Sequence, residues 1–279
     1  MRFRPGAPIM LVILLGACAT TASPAVDATP PSARPPVATP VGPDSNDGPE
    51  RIVGRSALDR PPQPMMSAAY RADLVSDHCV DRDLPTPPVS HPHLSVLDRS
   101  YGLPIAYVPG DLVAASAAGL TEASGTRRVS AVMVDDLAAM VGAWEAAGLR
   151  ISIDSAYRSY ASQAATFEMW VARVGSVEAL DRTALPGHSE HQLGTALDLS
   201  SPGWSGRFGD WATESAEGAW MAATGWEYGF VMSYPNGARE ATCFPYEPWH
   251  YRWIGREEAA AHRASGLDLR RFLERYVGP

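Results

Sequence analysis

Three short segments hold most of the side chains that could do chemistry. The first is Ser155-Ala156-Tyr157-Arg158-Ser159-Tyr160, followed by Gln163. The second runs from Pro186 to Asp198 and reads PGHSEHQLGTALD; the third is Glu247-Pro248-Trp249-His250-Tyr251. Of the seven histidines, His78, His91, His93 and His262 lie elsewhere, while His188, His191 and His250 sit with acids in the second and third segments. A catalytic zinc takes about three protein ligands, usually His with a carboxylate, and keeps one position for water. His191, Asp198 and His250 would meet that need, and Glu247 would be the natural base for an attacking water. Gly187 and Gly194 would let the backbone turn tightly around a metal. Strand geometry sets a condition, because Glu247 and His250 on one regular strand would point to opposite faces. Pro248 suggests a bend that aims both inward. Spacing alone leaves a plainer alternative open: His191 and His250 as surface or hydrogen-bonded core histidines, with Asp198 capping a turn.

The elements that must position these residues follow from periodicity. Val129, Met133, Leu137, Met140, Val141 and Trp144 fall at helical spacing, so a helix is predicted over Val129–Ala147, ended by Gly148. Ile151 and Ile153 alternate with Ser152 and Asp154, as in a strand. Ser159–Val174 reads as a second helix with Phe167, Trp170, Val171 and Val174 on one face and Gly175 as its stop. Short strands are predicted at Thr195–Leu199, Phe230–Ser233 and Trp249–Trp253, and helices around Ala216–Ala223 and Arg256–Val277. Helices precede short strands, which favours an α+β class: a small, mostly antiparallel sheet flanked by helices, with a zinc site on the sheet. The Trp and Met side chains are expected in the core.

Composition excludes other classes. The chain has 279 residues, enough for one sizeable core plus extra segments. Its 23 basic and 31 acidic side chains give a net charge of −8, and no basic run offers a nucleic-acid surface. Residues 1–18, MRFRPGAPIMLVILLGAC, join a positive start to an apolar run too short to span a bilayer as a mature helix. Leu15-Gly16-Ala17-Cys18 resembles a bacterial lipobox, in which Cys18 is lipidated. An ordinary secretory signal would also export the chain. Residues 19–60 are rich in Pro, Ala and Thr and read as a disordered tether, and 61–279 as the folded domain. Export makes a disulfide between Cys79 and Cys243 the natural pairing of the two body cysteines. The expected location is the cell envelope, with the protein lipid-anchored to the membrane through Cys18.

The three segments together resemble the VanY-type D-alanyl-D-alanine carboxypeptidases and their L,D-carboxypeptidase relatives. The resemblance runs from about Leu94 to the C-terminus and includes Tyr101-Gly102-Leu103-Pro104 and Tyr107-Val108-Pro109. It implies a fold similar to the hedgehog/D-Ala-D-Ala peptidase type. It also implies Zn2+ as cofactor, His191, Asp198 and His250 as its ligands, Glu247 as general base, and Arg158, Gln163 and Ser189 facing the substrate. His188 departs from the family, which usually carries an aromatic there, and is expected on the substrate rim. Arg158 suits a terminal carboxylate, which its fork of donors can bind bidentately; it could equally stabilise the oxyanion formed during attack. A salt bridge to a core acid is the structural alternative for Arg158.

The implied activity is removal of a terminal D-alanine from peptidoglycan stem peptides, by a chain expected to act as a monomer. Three other readings compete. One is an endopeptidase cutting within the stem peptide. Another is a non-catalytic zinc-containing cell-wall-binding module, which would be free to lose Glu247. The last is a structural lipoprotein with a coincidental His/Asp/Glu set.

Overall fold

A computed structural model of the chain describes residues 91–99 and 102–276. The signal peptide, the tether, Cys18, Cys79 and Tyr101 lie outside the described residues.

Among the described residues, six short strands form two antiparallel sheets. β1 (Leu112–Ala114) pairs with β2 (Arg128–Ser130). β3 (Ser152–Ser155), β4 (Ala196–Ser200), β5 (Phe230–Met232) and β6 (His250–Trp253) form the second sheet, in the order β3-β4-β6-β5. The architecture is therefore mixed α+β, the expected class, although β1 and β2 precede the first long helix and so depart from the expected order of helices before strands. The central pair β4 and β6 is buried along almost its whole length. Strands covered on both faces read as near-continuous apolar runs instead of alternating ones, and Ala196-Leu197-Asp198-Leu199 interrupts such a run with one acid.

Among the described residues, five helices have eight residues or more. α1 spans Val134–Ala146 and buries Leu137, Met140, Val141 and Trp144, a stripe at i, i+3, i+4 and i+7. Asp135 and Asp136 lie in its first turn, where carboxylates suit the helix dipole. Asp136 also accepts a hydrogen bond from Trp253 Nε1 at 2.9 Å, which ties α1 to β6. α2 spans Tyr160–Val174; the Ser159 side chain caps it by accepting from the Ser162 amide, and Gly175 ends it. α3 (Ala216–Thr224), α4 (Arg256–Ser265) and α5 (Leu269–Tyr276) follow. Among the described residues no helix is long and apolar enough to cross a membrane.

Three sequence expectations need correction. Val129 and Ser130 belong to β2, not to a helix, and a short 3-10 turn over Ala131–Met133 precedes α1. Both Val129 and Met133 are fully buried in either conformation, so apolar spacing could not separate strand from helix there. The predicted C-terminal helix is two helices: Gly266 adopts φ 65°, a left-handed conformation that stops α4. The break turns Leu269, Phe272 and Leu273 into one apolar cluster with Leu94, Val231 and Ile254. Finally, Phe167 is buried on α2, but Val174 is 40% exposed.

The cluster containing Leu94 matters for the site. Residues 91–99 pack beside the sheet, with His93 and Leu94 buried. Gln192 fastens the next stretch, its amide donating to the carbonyls of Pro104 and Tyr107 at 3.2 and 3.1 Å.

Candidate active site

The sheet register places the first two acid–histidine partners. Asp198 on β4 stands directly opposite His250 on β6. His191 reaches the same point from the 3-10 turn Glu190–Leu193 that leads into β4. That turn closes on Gly194 at φ 73°, where a Cβ would come within 3.0 Å of the Leu112 side chain and 3.3 Å of the Ser130 amide nitrogen. Gly187 opens the segment at φ 86°, and its carbonyl accepts from the Leu103 amide at 2.7 Å. Both glycines are thus required by backbone conformation as well as by close approach.

The bend expected at Pro248 is a turn from Glu247 to His250, closed by the His250 amide donating to the Glu247 carbonyl at 3.1 Å. It begins before β6, so strand alternation does not apply to Glu247. The Glu247 carboxylate lies 4.0 Å from His250 Nδ1.

His191, Asp198 and His250 each offer one ligand atom, and these atoms lie within 4.8 Å of one another. His191 Nε2 is 3.1 Å and His250 Nδ1 3.0 Å from the Asp198 carboxylate. The other nitrogen of His191, Nδ1, lies 2.6 Å from the Ala156 carbonyl, an acceptor, and so carries the ring proton. In the neutral ring Nε2 is then a bare lone pair, buried without a hydrogen-bond partner. It faces a carboxylate oxygen, also an acceptor. Two acceptors at that distance are satisfied by a cation between them. The donor set of two imidazoles and a carboxylate, with His191 braced by a backbone carbonyl, fits zinc.

The electrostatics set the four side chains apart. Burial and the nearby Arg158 lower His191 to about 4, so its ring is neutral at neutral pH. Burial disfavours the charged form of Asp198, but His191 and His250 outweigh it and hold the carboxylate well below its usual range. Burial alone would lower His250, yet its hydrogen bonds to Asp198 and Glu190 push it up to about 10. Glu247 moves the other way: burial pushes it up to about 7, with His250 opposing and Asp198 reinforcing the shift. A carboxyl poised near neutrality beside a metal group is suited to move a proton. Glu247 is not a member of the group of ligand atoms.

Arg158 is held by the segment between β3 and α2. Its amide bonds to the His191 carbonyl at 3.3 Å, and its guanidinium lies 3.7 Å from Asp198. That is an ion pair at the edge of contact and not a bidentate salt bridge, and the Arg158 Nε is buried without a hydrogen-bond partner.

The remaining residues expected to face the substrate sit deeper. Gln163 is fully buried, and its amide nitrogen donates to Thr183 Oγ1 at 2.9 Å and the Ala184 carbonyl at 2.7 Å. Ser189 is buried at the N-terminal end of the 3-10 turn. His188 is 3% exposed, not on an open rim, and its Nδ1 lies 2.7 Å from the Asp98 carbonyl. A Cβ on Gly102 would approach its Nε2 to 2.8 Å, so the ring fills the space a side chain would need there. His188 is also outside the group of ligand atoms. Cys243 is disulfide-bonded, and the partner assigned to it, Cys79, lies outside the described residues.

The structure adds residues that the sequence reading left without a role. Glu190, 4% exposed, accepts from His250 Nε2 at 2.9 Å, Ser233 Oγ at 2.5 Å and Arg252 Nη1 at 2.7 Å. Burial opposes its charge, but Arg252 and His250 outweigh that and hold it at about 2. Tyr234 stacks on the His250 ring with centroids 4.9 Å apart. Strand alternation was the available signal for Arg252, which shares a face with His250 two residues earlier. Glu190 had no comparable signal, being one of several polar residues in a turn.

Two buried histidines and a half-buried aspartate, flanked by a carboxylate of raised pKa and a guanidinium, are the geometry of a metal-dependent hydrolase. The sequence profile of the VanY family, D-alanyl-D-alanine carboxypeptidase, matches residues 126–256. The Bacillus subtilis (strain 168) protein YodJ is 32% identical over 183 residues, 65% of this chain and 67% of YodJ. Two enterococcal D-alanyl-D-alanine carboxypeptidases also match, over 36% and 34% of their own length. The structure of the LD-carboxypeptidase LdcB superposes with TM-score 0.59 at 32% identity, covering 65% of this chain and 86% of that one. A Glu-to-Ala variant of the D,D-pentapeptidase VanY from the VanB-type resistance cassette, solved with Zn(II), superposes with TM-score 0.54 at 26% identity, covering 65% and 98%. The chain belongs to the VanY family of carboxypeptidases.

Proposed function

We propose that the protein is a zinc-dependent carboxypeptidase that removes the terminal D-alanine from peptidoglycan stem peptides, as a D,D- or L,D-enzyme. The observation that carries this reading is the bare, buried His191 Nε2 facing Asp198, with Glu247 and Arg158 beside it. The Zn(II) in the VanY neighbour and the peptidoglycan recognition described for LdcB support it. His191, Asp198 and His250 would hold the metal, which when bound acidifies water toward a pKa of ~7 and polarises a carbonyl. Glu247 accepts the water's proton at its carboxylate during attack and returns it to the departing amine. Arg158 holds the free terminal carboxylate, which selects a chain end over an internal bond and places the last peptide bond at the metal.

Defined muropeptides analysed by mass spectrometry before and after incubation with zinc-loaded protein test the reading. Loss of one terminal alanine from a pentapeptide would mark D,D-specificity, and from a tetrapeptide L,D-specificity. No change in either would reject the proposal. Arg158→Lys keeps the charge and loses the fork. It should turn over these substrates far more slowly while zinc content stays near one per chain; loss of zinc would make Arg158 structural.

The reading extends to location: export, and anchoring to the envelope membrane through lipidated Cys18. Stable anchoring needs more than one acyl chain, which a diacylated or triacylated cysteine supplies. Cys18→Ser should move the protein from the membrane fraction to the soluble fraction, and unchanged fractionation would count against the anchor.

A further inference from the structure

We infer that Glu190, held by Arg252 and Ser233, is a positioning residue that sets the ring orientation and proton placement of His250 and thereby the affinity of the metal site. The inference rests on the metal reading above and deepens it.

The chain of contacts begins away from the site. Arg252 is fully buried on β6. One end of its guanidinium, Nη2, donates to the carbonyls of His93 and Ser95, both at 2.6 Å. The other, Nη1, donates to Glu190 Oε1 at 2.7 Å. The remaining Glu190 oxygen, Oε2, accepts from Ser233 Oγ and from His250 Nε2. Two carboxylate oxygens are thus held by three donors from three directions, and the carboxylate has little freedom to rotate. Arg252 Nη1 and Ser233 Oγ both donate to Glu190, so its carboxylate turns an acceptor to His250, and the ring nitrogen facing it carries a proton. The lone pair of a neutral His250 then lies on Nδ1, which points at Asp198 from 3.0 Å. Tyr234 lies against one face of the same ring and limits its tilt. A carboxylate behind a metal-bound histidine fixes both tautomer and orientation. Here that carboxylate is itself fixed to the segment around His93.

The substitution Glu190→Gln separates this role from simple core packing. A glutamine offers one acceptor oxygen where the carboxylate offers two. If that oxygen faces Arg252, the amide NH2 faces His250 Nε2 and calls for a lone pair there. The ring proton then moves to Nδ1, the nitrogen the metal needs. If the oxygen faces His250, the NH2 meets the Arg252 guanidinium and leaves buried donors unpaired.

The test is zinc affinity measured by competition with a chromogenic chelator on the folded wild-type chain and its variants. The d–d absorption of the Co(II)-substituted proteins is recorded alongside. Glu190→Gln should weaken zinc about 10–100-fold and alter the Co(II) spectrum, the range found when residues behind metal ligands are changed. Ser233→Ala, a smaller change to the same carboxylate, should weaken zinc by about fivefold, the worth of one hydrogen bond. A purely structural Glu190 would lower the melting temperature and leave both metal readouts as in the wild type. Zinc affinity within twofold of wild type in folded Glu190→Gln overturns the inference. Should that variant not fold, the same result in Ser233→Ala overturns it. Absence of zinc binding by the wild-type chain would be a different failure, that of the metal site itself.

Discussion

Glu247→Gln should lower turnover of a terminal D-alanine peptide by about 10²–10⁴ while the purified protein keeps its zinc and its fold. The amide matches the carboxylate in shape but cannot take a proton. Retention of zinc follows because the ligand group is complete without Glu247. A fourth protein ligand would leave no open position on the metal, as in structural zinc sites. The wild-type pH profile should carry the signature of the same group. Glu247 acts as a base only when ionised, so kcat/KM should fall as pH drops through its pKa. Burial raises that pKa from 4.5 to about 7. A bound cation favours the charged form and pulls it back, so the limb should lie between those values. Metal analysis and a D-alanine release assay on one preparation decide the matter. A zinc-free Glu247→Gln protein would make the residue a ligand. A fully active one would place the base elsewhere.

His191→Ala and His250→Ala should fail in the opposite way, losing metal and activity together. Each removes one of three ligands, and alanine leaves a gap where a lone pair was needed. For His191 the gap is enclosed, since the ring is 1% exposed and braced by the Ala156 carbonyl. For His250 the loss also removes one neighbour from each of two buried or half-buried carboxylates, Glu190 and Asp198, although Glu190 keeps Arg252 and Ser233. Removing one partner from a buried charge network that stays partly paired costs stability as well as metal, so His250→Ala should be the less stable of the two. Zinc stoichiometry, D-alanine release and the urea midpoint together check this. Zinc binding as tight as wild type in either variant would remove that histidine from the ligand set. A parallel fall of zinc and activity, with a larger stability loss for His250→Ala, is the expected pattern.

Residue types drew attention to the candidate site, and the family resemblance implied the role of each member. His191, Asp198, His250 and Glu247 were singled out because few side chains bind zinc or move protons, and they fall in segments broken by glycine and proline. The strands that carry them were partly visible: β4 is a short, largely apolar run after Gly194, whereas β6, His250-Tyr251-Arg252-Trp253, follows Pro248 and alternates charged and aromatic side chains. The helix α2 was marked at both ends, by Ser159 as cap and Gly175 as stop. These signals are local, and local signals survive in a one-dimensional pattern.

The rest depended on contacts between residues far apart in the chain. Asp198 faces His250 through a strand register spanning more than fifty residues, which no periodicity encodes. Glu190 looked like one more polar residue in a turn. Only the fold brings Arg252, Ser233 and His250 around it and makes it a buried anion with three donors. His188 looked like a candidate for the substrate rim until Asp98 and Gly102 closed around its ring. Arg158 could have been spent on a core acid, but its guanidinium is left at 3.7 Å from Asp198. In each case the residue type stated what chemistry was available. Burial and the direction of its partners, set by tertiary packing, decided whether that chemistry would hold a metal, orient a ligand or fill the core.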